Sequence, residues 1–220
     1  MHSFPKLLLL AATSLLGAQL AVCDSLYSFT SANQTFFDAP ATLGFVFTAN
    51  SSFQVDSLGW FDATGEGFSS QHTIGLFDSA GTLLASTTLS TSTSDTIDGG
   101  FRYHSIAPIT LTAGSEYTLA GTSGGPMDSW TVNDLVNDFA VNPAFTIGPN
   151  AARFSYGTEL VDPDSHFSDY LVYSGPNLEG QELISATPEP ASFLLVAIAA
   201  SILLISRQLR TLWQLGRSQD

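Results

Sequence analysis

The sequence predicts an all-β protein, an antiparallel β-sandwich placed between two targeting segments. Short apolar–polar alternations with a period of two recur through the middle of the chain and are broken by Gly, Asn, Asp and Ser. Turn signals separate most of them by about 8 to 14 residues, the spacing typical of antiparallel sandwiches and barrels. No long stretch in this region shows an apolar stripe with helical period. Strands therefore form the body of the protein.

The individual strands follow from this alternation. Residues 72–77 and 82–89 flank the turn Asp-Ser-Ala-Gly and predict a β-hairpin. Residues 123–141 are polar and irregular, and they predict an insertion with a short helical turn around residues 133–139. The predicted strands, in chain order, are residues 43–47, 53–61, 72–77, 82–89, 100–106, 109–111, 116–121, 152–156 and 170–173.

Residues 1–23 have the three parts of a secretory signal peptide. Lys6 precedes an apolar run at residues 7–16, and small residues follow it. We therefore expect an N-terminal signal helix that is removed after Cys23, the single cysteine, which leaves no disulfide. The alternative is a lipoprotein box at residues 20–23 with Cys23 lipidated, but valine before the cysteine matches that box poorly.

An apolar segment near the other end predicts a C-terminal transmembrane helix. Residues 191–206 contain no charge, and as a helix with about 1.5 Å rise per residue they span about 24 Å. Arg207, Arg210 and Arg217 follow the segment, and positive residues next to a membrane helix stay on the cytoplasmic side. Residues 211–220 are thus expected to be a cytoplasmic tail, with the body of the chain outside.

The C-terminal segments resemble a known family of sorting signals. Pro188-Glu189-Pro190, the apolar helix and the basic end at Arg207 and Arg210 together resemble a PEP-CTERM signal over residues 188–210. The resemblance implies a Gram-negative bacterium and an exosortase-type processing enzyme that cuts near Pro-Glu-Pro after export. It also implies a cell-surface or exopolysaccharide location, as in biofilms. The tail of residues 211–220 departs from the family, which usually stops soon after its arginines.

The predicted extracytoplasmic domain, residues 24–187, is strongly acidic. The whole chain has 20 acidic and 6 basic residues, and this domain keeps 18 of the acids with Arg102 and Arg153 alone, a net charge of −16. Nucleic-acid binding is excluded, because it requires a basic footprint. Divalent cations are the ionic partners that such a surface favours.

Several motifs of this domain resemble secreted bacterial jelly-roll domains found beside PEP-CTERM signals. The resemblance covers residues 40–175 and implies a two-sheet, jelly-roll-like β-sandwich without an assigned chemistry. The matching motifs are Leu43-Gly44-Phe45-Val46-Phe47, Leu58-Gly59-Trp60-Phe61-Asp62, Ile74-Gly75-Leu76-Phe77-Asp78, Gly81-Thr82-Leu83-Leu84-Ala85, Gly100-Phe101-Arg102-Tyr103 and Leu111-Thr112-Ala113-Gly114-Ser115-Glu116-Tyr117.

No catalytic residue is predicted. The stretch Gly121-Thr122-Ser123-Gly124-Gly125-Pro126 looks like the nucleophile loop of chymotrypsin-type proteases, but neither His72 nor His104 has the sequence context of a catalytic base. Glycoside cleavage needs two carboxylates in a cleft, and the sequence selects no pair among 18 acids. We therefore expect a protein that is not an enzyme.

Metal binding has one weak candidate. Asp162, Asp164 and Asp169, with Ser165 and His166 between them, offer oxygen ligands of the kind that calcium takes. Asp-Pro-Asp-Ser is equally a solvated turn, the twelve-residue calcium loop is missing, and the histidines lack zinc-type spacing. No cofactor or metal ligand is predicted, and a structural calcium is left as an alternative.

The expected function is that of an exported, non-catalytic cell-surface or exopolysaccharide-matrix protein. The alternatives are an unprocessed membrane-anchored protein and a carbohydrate-binding module or adhesin, with or without calcium. Sugars stack on exposed aromatic rings, and Trp60, Trp130, Tyr103 and Tyr156 are the candidate rings. Of these, Trp60 lies in an apolar strand and is expected in the core, and Trp130 lies in the polar insertion.

Overall fold

The computed structural model describes residues 24–36, 40–123, 128–166, 170–183 and 200–202. The chain divides into two compact units, Met1–Glu182 and Leu183–Asp220, and residues 200–202 of the second unit are helical. No helix among the described residues is both long enough and apolar enough to cross a membrane. The predicted signal peptide, the motif Pro188-Glu189-Pro190, and Arg207 and Arg210 lie outside the described residues, as does the predicted apolar helix apart from residues 200–202.

The described part of the first unit is built of antiparallel strands, with one 3-10 turn at Asn133–Leu135. The strands are β1 (Asp24–Ser25), β2 (Tyr27–Ser28), β3 (Ser31–Ala32), β4 (Ala41–Ala49), β5 (Phe53–Phe61), β6 (His72–Asp78), β7 (Leu83–Leu89), β8 (Thr96–Asp98), β9 (Phe101–Leu111), β10 (Glu116–Thr122), β11 (Thr131–Val132), β12 (Val136–Asn137), β13 (Ala140–Val141), β14 (Phe145–Thr146), β15 (Ala152–Tyr156), β16 (Tyr173–Ser174) and β17 (Pro176–Glu182).

Two larger sheets dominate this unit. One has the order β1-β17-β5-β9-β8, and the other has the order β14-β4-β10-β6-β7, with β15 also paired to β4. Short ribbons join β11 to β16, β12 to β3 and β13 to β2. All these pairs are antiparallel, so the predicted all-β, antiparallel class is confirmed.

The long strands pair in a nested order. The innermost pair is the hairpin β6–β7, the next pair outward along the chain is β5–β9, and the outermost is β4–β10. These successive pairs fall alternately in the two sheets, because β5 and β9 belong to one sheet and the other four strands to its partner. The chain from β4 to β10 is thus folded like one long hairpin, whose successive strand pairs belong alternately to the two sheets.

Aromatic side chains from both sheets meet in a shared core. Phe53 of β5 lies 4.7 Å, between ring centroids, from Phe145 of β14, and Phe145 in turn contacts Phe47 of β4 at 5.5 Å. These three rings are buried. Burying apolar surface supplies about 25 cal/mol per Å², and with the single cysteine outside the described residues this core is what holds the unit together.

The segment after β15 covers the outer face of the second sheet. Gly44, Ala120 and Gly75 lie side by side on β4, β10 and β6 and leave a shallow trough. Leu160 fills it, because a Cβ added to Gly75 would lie only 2.7 Å from Leu160 Cδ2. Thr42 Oγ1 donates to the Glu159 carbonyl at 2.9 Å and fixes the segment on the sheet. The small residues of the alternating strands therefore make room for a covering loop.

Most predicted strands are confirmed, and three were wrong in extent. Residues 100–106 and 109–111 form the single strand β9, whose pairing with β5 shifts register between Val55 and Ser57. This bulge takes residues 106–108 out of the ladder, so Pro108 costs no hydrogen bond. The strand predicted at residues 170–173 is reduced to Tyr173–Ser174. The expected helical turn in the insertion is the 3-10 turn at Asn133–Leu135.

Strand β17 was not predicted, although it lies inside a sheet between β1 and β5. Its sequence, PNLEGQE, has a single large apolar residue and no alternation. Asn177 is fully buried there, where its side chain donates to the Tyr27 carbonyl and accepts from the Leu178 amide, both at 2.9 Å. A buried polar strand of this kind is stabilised by specific hydrogen bonds that periodicity does not reveal.

Candidate functional site

The loop between β5 and β6, residues 62–71, is organised by two buried carboxylates. Asp62 follows β5 directly, and its Oδ1 accepts from the Gly65 amide at 2.9 Å and from Thr64 Oγ1 at 3.4 Å. Its Oδ2 accepts from the Gly67 amide at 2.9 Å. Short polar side chains that bond to nearby backbone amides are typical of tight turns. The first half of the loop is therefore wrapped around the Asp62 side chain.

Arg102 of β9 holds Asp62 in a buried ion pair. The Arg102 Nη2 and Nε atoms both donate to Asp62 Oδ2, at 2.7 and 3.0 Å, and the two side chains are 3% and 2% exposed. The remaining donors go to backbone carbonyls, Nη2 to Gly65 at 3.0 Å and Nη1 to Asp95 at 2.9 Å and Thr93 at 3.3 Å. All five guanidinium donors are thus used. The ion pair joins two loops to β9.

Asp128 organises the second half of the loop. Its Oδ1 accepts from the Ser69 amide at 2.7 Å, and its Oδ2 accepts from the Ser70 amide at 2.8 Å and the Ser70 hydroxyl at 2.9 Å. The same Oδ2 lies 3.2 Å from His72 Nε2. Asp128 therefore connects the insertion after β10 to the start of β6.

His72 lies between two hydrogen-bonding groups from other parts of the chain. Its Nδ1 is 2.8 Å from the Thr122 carbonyl at the end of β10. Its Nε2 faces the Asp128 carboxylate at 3.2 Å. His72 is fully buried, so both ring nitrogens are engaged inside the protein.

The charge state of Asp128 agrees with this arrangement. Burial alone would raise the pKa of Asp128, but the hydrogen bonds from His72, Ser69 and Ser70 outweigh it and hold the pKa well below its usual range. Asp128 is thus ionised at neutral pH, and its oxygens are held by the His72 ring and by Ser69 and Ser70.

Aromatic rings enclose the His72 side chain. The ring of Trp60 stacks on His72 with centroids 4.7 Å apart and an angle of 15°, and Phe68 meets it edge-on at 4.6 Å. Trp60 packs so closely that a Cβ on Gly175 would lie 2.4 Å from its ring. The described contacts of His72 and Asp128 therefore connect the β5–β6 loop, β6 and the insertion after β10.

The protease-like loop is not assembled with a histidine base. Ser123 is buried, and its Oγ accepts from the Ala41 amide at 3.1 Å. The His72 ring nitrogens face Thr122 and Asp128 instead, and His104 pairs its Nδ1 with Asp95 at 2.8 Å on the surface. Residues 124–127 of that loop lie outside the described residues.

The calcium candidates are separated from this network. Asp162 lies against the β6–β7 turn, 3.1 Å from the position of a Cβ on Gly81. Burial raises the pKa of Asp162, and the nearby carboxylates of Asp164 and Asp78 raise it further. The hydrogen bond with Thr118 and the charge of Arg153 lower it, but the net shift is upward. Sequence spacing could not associate Asp78 with this group. Asp169 lies outside the described residues, among which no three His, Cys, Asp or Glu side chains are grouped to hold a metal ion.

The four candidate stacking rings separate clearly by exposure. Trp60, Trp130 and Tyr103 are buried at 0%, 7% and 4% exposure, whereas Tyr156 on β15 is 76% exposed. The Tyr156 ring is steadied by an edge-on contact with Phe154 at 5.4 Å. Trp130 instead packs between Phe36 at 4.9 Å and Tyr173 at 5.3 Å, so it closes the insertion over the core.

Comparison with known proteins identifies a family for this arrangement. The family model described as Domain of unknown function (DUF4082) matches residues 30–172, which is more than half of the chain. The chain belongs to the DUF4082 family. The DUF4082 match includes both buried pairs, Arg102 with Asp62 and His72 with Asp128. The comparison with curated proteins gave no match.

The sequence did not predict that Arg102 pairs with Asp62 or that His72 pairs with Asp128. Arg102 gave the one usable signal, since it is one of two basic residues between residues 24 and 187 and lies in a predicted strand. A lone strand arginine in an acidic domain is a natural partner for a buried carboxylate. Which of the 18 acids it selects depends on the tertiary fold.

Proposed function

We propose that this DUF4082 protein is an exported, non-catalytic component of the cell surface or exopolysaccharide matrix, sorted through a PEP-CTERM signal. One observation carries the proposal: the order of signal peptide, acidic β-domain, Pro188-Glu189-Pro190, apolar helix and arginines in the sequence. The exported product faces the outside of a Gram-negative inner membrane, held there by the C-terminal helix until an exosortase-type enzyme processes it.

The architecture supports the finer fold within this proposal. Nested antiparallel pairs that alternate between two sheets are the pattern of a jelly roll, and β4–β10, β5–β9 and β6–β7 follow it. The first compact unit ends at Glu182, shortly before Pro188, which suits a sorting element that is separate from the folded domain. We therefore propose a jelly-roll-like sandwich as the cargo of the sorting signal.

The buried pairs support a non-catalytic role. A general base must reach a substrate proton, yet both ring nitrogens of His72 are engaged by Thr122 and Asp128 beneath Trp60. The Asp62 carboxylate is likewise occupied by Arg102 and by the amides of its own loop. The polar atoms of these two buried pairs are thus used to hold loops in place.

Processing is tested by the intact mass of the exported protein. In a host that carries an exosortase, we expect a mature species that lacks the residues C-terminal to the Pro-Glu-Pro region. Glu189→Ala should leave a species that retains residues 191–220 and sediments with membranes. Glu182→Ala, at the end of β17, is the matched control and should be processed normally. A wild-type product that keeps its C-terminus in such a host would contradict the sorting proposal.

A second candidate function, carbohydrate binding, is favoured by Tyr156. Its ring is 76% exposed and is supported by Phe154, which is the arrangement needed to stack on a sugar face. A binding module of this kind would retain the protein in an exopolysaccharide layer after processing. The proposal extends the matrix role and does not require a catalytic residue.

Glycan arrays test this second function. We expect wild-type protein to bind polysaccharide ligands, Tyr156→Ala to lose at least tenfold in affinity, and Tyr156→Phe to retain binding because the ring remains. Repeating the array with calcium and with a chelator separates a calcium-dependent adhesin from plain stacking. Equal binding by the alanine variant, or no signal for the wild type in both conditions, would exclude Tyr156 as a sugar platform.

A further inference from the structure

A cleft opens where the N-terminal segment, the end of β5 and the turn between β8 and β9 come together. Its sides are residues 29–32 with Thr35, residues 61–63 and residues 99–100, and we call it the N-terminal cleft. Its volume is about 420 Å³, which falls within the range of about 300–1,000 Å³ that is usual for small-molecule sites. Three separate segments of the chain thus form one concave surface.

Two aromatic rings form an apolar base for the N-terminal cleft. Phe29 and Phe61 are 8% and 6% exposed, and their ring centroids lie 5.2 Å apart at an angle of 65°. Both rings also contact Phe101, at 5.4 and 5.7 Å. Because the three rings brace one another, the base is formed before any ligand arrives. A preformed site loses little conformational entropy on binding.

Small residues keep the sides of the cleft open. Gly99 and Gly100 have φ values of 54° and 84° and form the two-residue turn between the paired residues Asp98 and Phe101. Two positive φ values in such a turn favour glycine at both positions. A Cβ added to Gly99 would meet no described atom within 4 Å. Ala63, another residue of the lining, is exposed and carries a single methyl group.

Hydroxyl groups supply the polar part of the lining. Ser31 and Thr35 contribute one each, and Asn137 Nδ2 donates to Ser31 Oγ at 2.9 Å and fixes its position. Asp62 also lines the cleft, but Arg102 balances its charge in the buried ion pair. A few placed hydroxyls above an apolar base suit a ligand that has both hydroxyl groups and C–H surface.

The rim of the cleft is acidic. Asp98 directly precedes Gly99, and Asp138 Oδ2 accepts from the Oγ1 atom of the lining residue Thr30 at 2.9 Å. Both aspartates are exposed. Their charges repel an anionic ligand, whereas their oxygens accept hydrogen bonds from hydroxyl groups. The Asp62 oxygens are occupied by hydrogen bonds of their own, so the inside of the cleft favours a neutral ligand over a cation.

We propose that the N-terminal cleft binds a neutral sugar unit of a polysaccharide. The C–H face of the sugar packs on the Phe29 and Phe61 rings, and its hydroxyl groups pair with Ser31, Thr35 and the acidic rim. The inference adds a second binding site to the carbohydrate-binding function proposed above and rests on that function for the class of ligand. The cleft shares no lining residue with the Tyr156 platform.

Isothermal titration calorimetry of the full-length chain, in a polyoxyethylene detergent that carries no sugar, tests the ligand class. The probes are three neutral tetrasaccharides, cellotetraose, maltotetraose and mannotetraose, and the acidic tetramer of galacturonic acid. We expect at least one neutral probe to bind and the acidic probe to bind at least tenfold more weakly. A wild type that binds none of the neutral probes overturns the proposal, and so does equal binding of the acidic probe.

Variants of the lining test the place of binding. Ala63→Leu fills the cleft and should raise the dissociation constant at least tenfold. Thr35→Val keeps the side-chain shape but removes one hydroxyl, and should raise the dissociation constant about threefold or more. Ala113→Leu, at an exposed position of the turn between β9 and β10, is the matched control and should bind as the wild type does. All three variants should keep the far-UV circular dichroism of the wild type.

Tyr156→Ala separates this cleft from the stacking platform. Loss of binding in Ala63→Leu with binding retained in Tyr156→Ala would confirm the cleft and exclude Tyr156 as the platform for that sugar. Loss of binding in Tyr156→Ala with unchanged binding in Ala63→Leu would overturn the cleft and leave the carbohydrate-binding function in place.

Discussion

Replacing Arg102 with methionine is expected to lower the free energy of unfolding by about 3–5 kcal/mol. The substitution keeps most of the aliphatic volume but leaves the Asp62 carboxylate buried without its counter-charge. It also removes the donors to the carbonyls of Gly65, Thr93 and Asp95. Urea denaturation followed by tryptophan fluorescence measures the loss, because Trp60 lies in the core.

Arg153→Met is the matched control for this experiment. Arg153 is the other arginine of the predicted domain, and its Nη1 donates only to nearby carbonyls, Asn150 at 2.7 Å and Ala152 at 3.1 Å. We expect a loss below about 1 kcal/mol, because Arg153 is only half-buried and holds no buried carboxylate among the described residues by a hydrogen bond. Equal losses in the free energy of unfolding for the two variants would show that the Arg102–Asp62 ion pair stabilises the fold no more than the Arg153 hydrogen bonds do. A double variant, Arg102→Met with Asp62→Leu, should recover part of the stability, since no unpaired charge remains.

Asp128→Asn is expected to lower the free energy of unfolding by about 3 kcal/mol at neutral pH. It should also change how that free energy falls as the solution is acidified. The folded chain lowers the pKa of Asp128, so the unfolded chain takes up this proton first as the solution is acidified. The carboxylate's contribution is complete above the unfolded pKa of about 3.9 and is lost as the pH falls below that value toward the folded pKa. The difference between wild type and variant should therefore be constant above about pH 5 and shrink below about pH 4.

Urea titrations at a series of pH values measure this profile. Asp134→Asn, at an exposed position of the insertion, is the control and should lie within about 0.5 kcal/mol of the wild type. A gap between wild type and Asp128→Asn that persists unchanged to about pH 2 would contradict a lowered pKa of Asp128 in the folded state.

Side-chain periodicity predicted those strands that have one apolar and one polar face. The hairpin of β6 and β7 was recognisable because Ile74 and Leu76 alternate with small or polar residues and a four-residue turn follows. Strand β17 escaped because its burial depends on Asn177 and Gly180, whose partners are distant in sequence. A Cβ at Gly180 would lie 1.8 Å from the Gln54 carbonyl, a close approach that only the folded sheet reveals.

In the candidate site, too, the sequence predicts the local structure but not the distant residues that contact it. The strands predicted at residues 53–61 and 72–77 leave a connection at residues 62–71, and the structure has a loop there. The partners that hold it, Arg102 and Asp128, come from β9 and from the insertion after β10. Arg102 lies 40 residues from Asp62 and Asp128 lies 59 residues from Ser69, so no rule of sequence spacing predicts these contacts.

The sequence by itself determined the β class of this protein, the acidity of its predicted domain and the membership of the DUF4082 family, because each is a property of composition or of local pattern. The tertiary structure alone decided which two of the acids are buried against Arg102 and His72, and which aromatic ring stays exposed. It also decided which strands lie at the edges of the two large sheets. The physical reason is that burial and pairing are set by contacts between distant segments, which a local pattern does not encode.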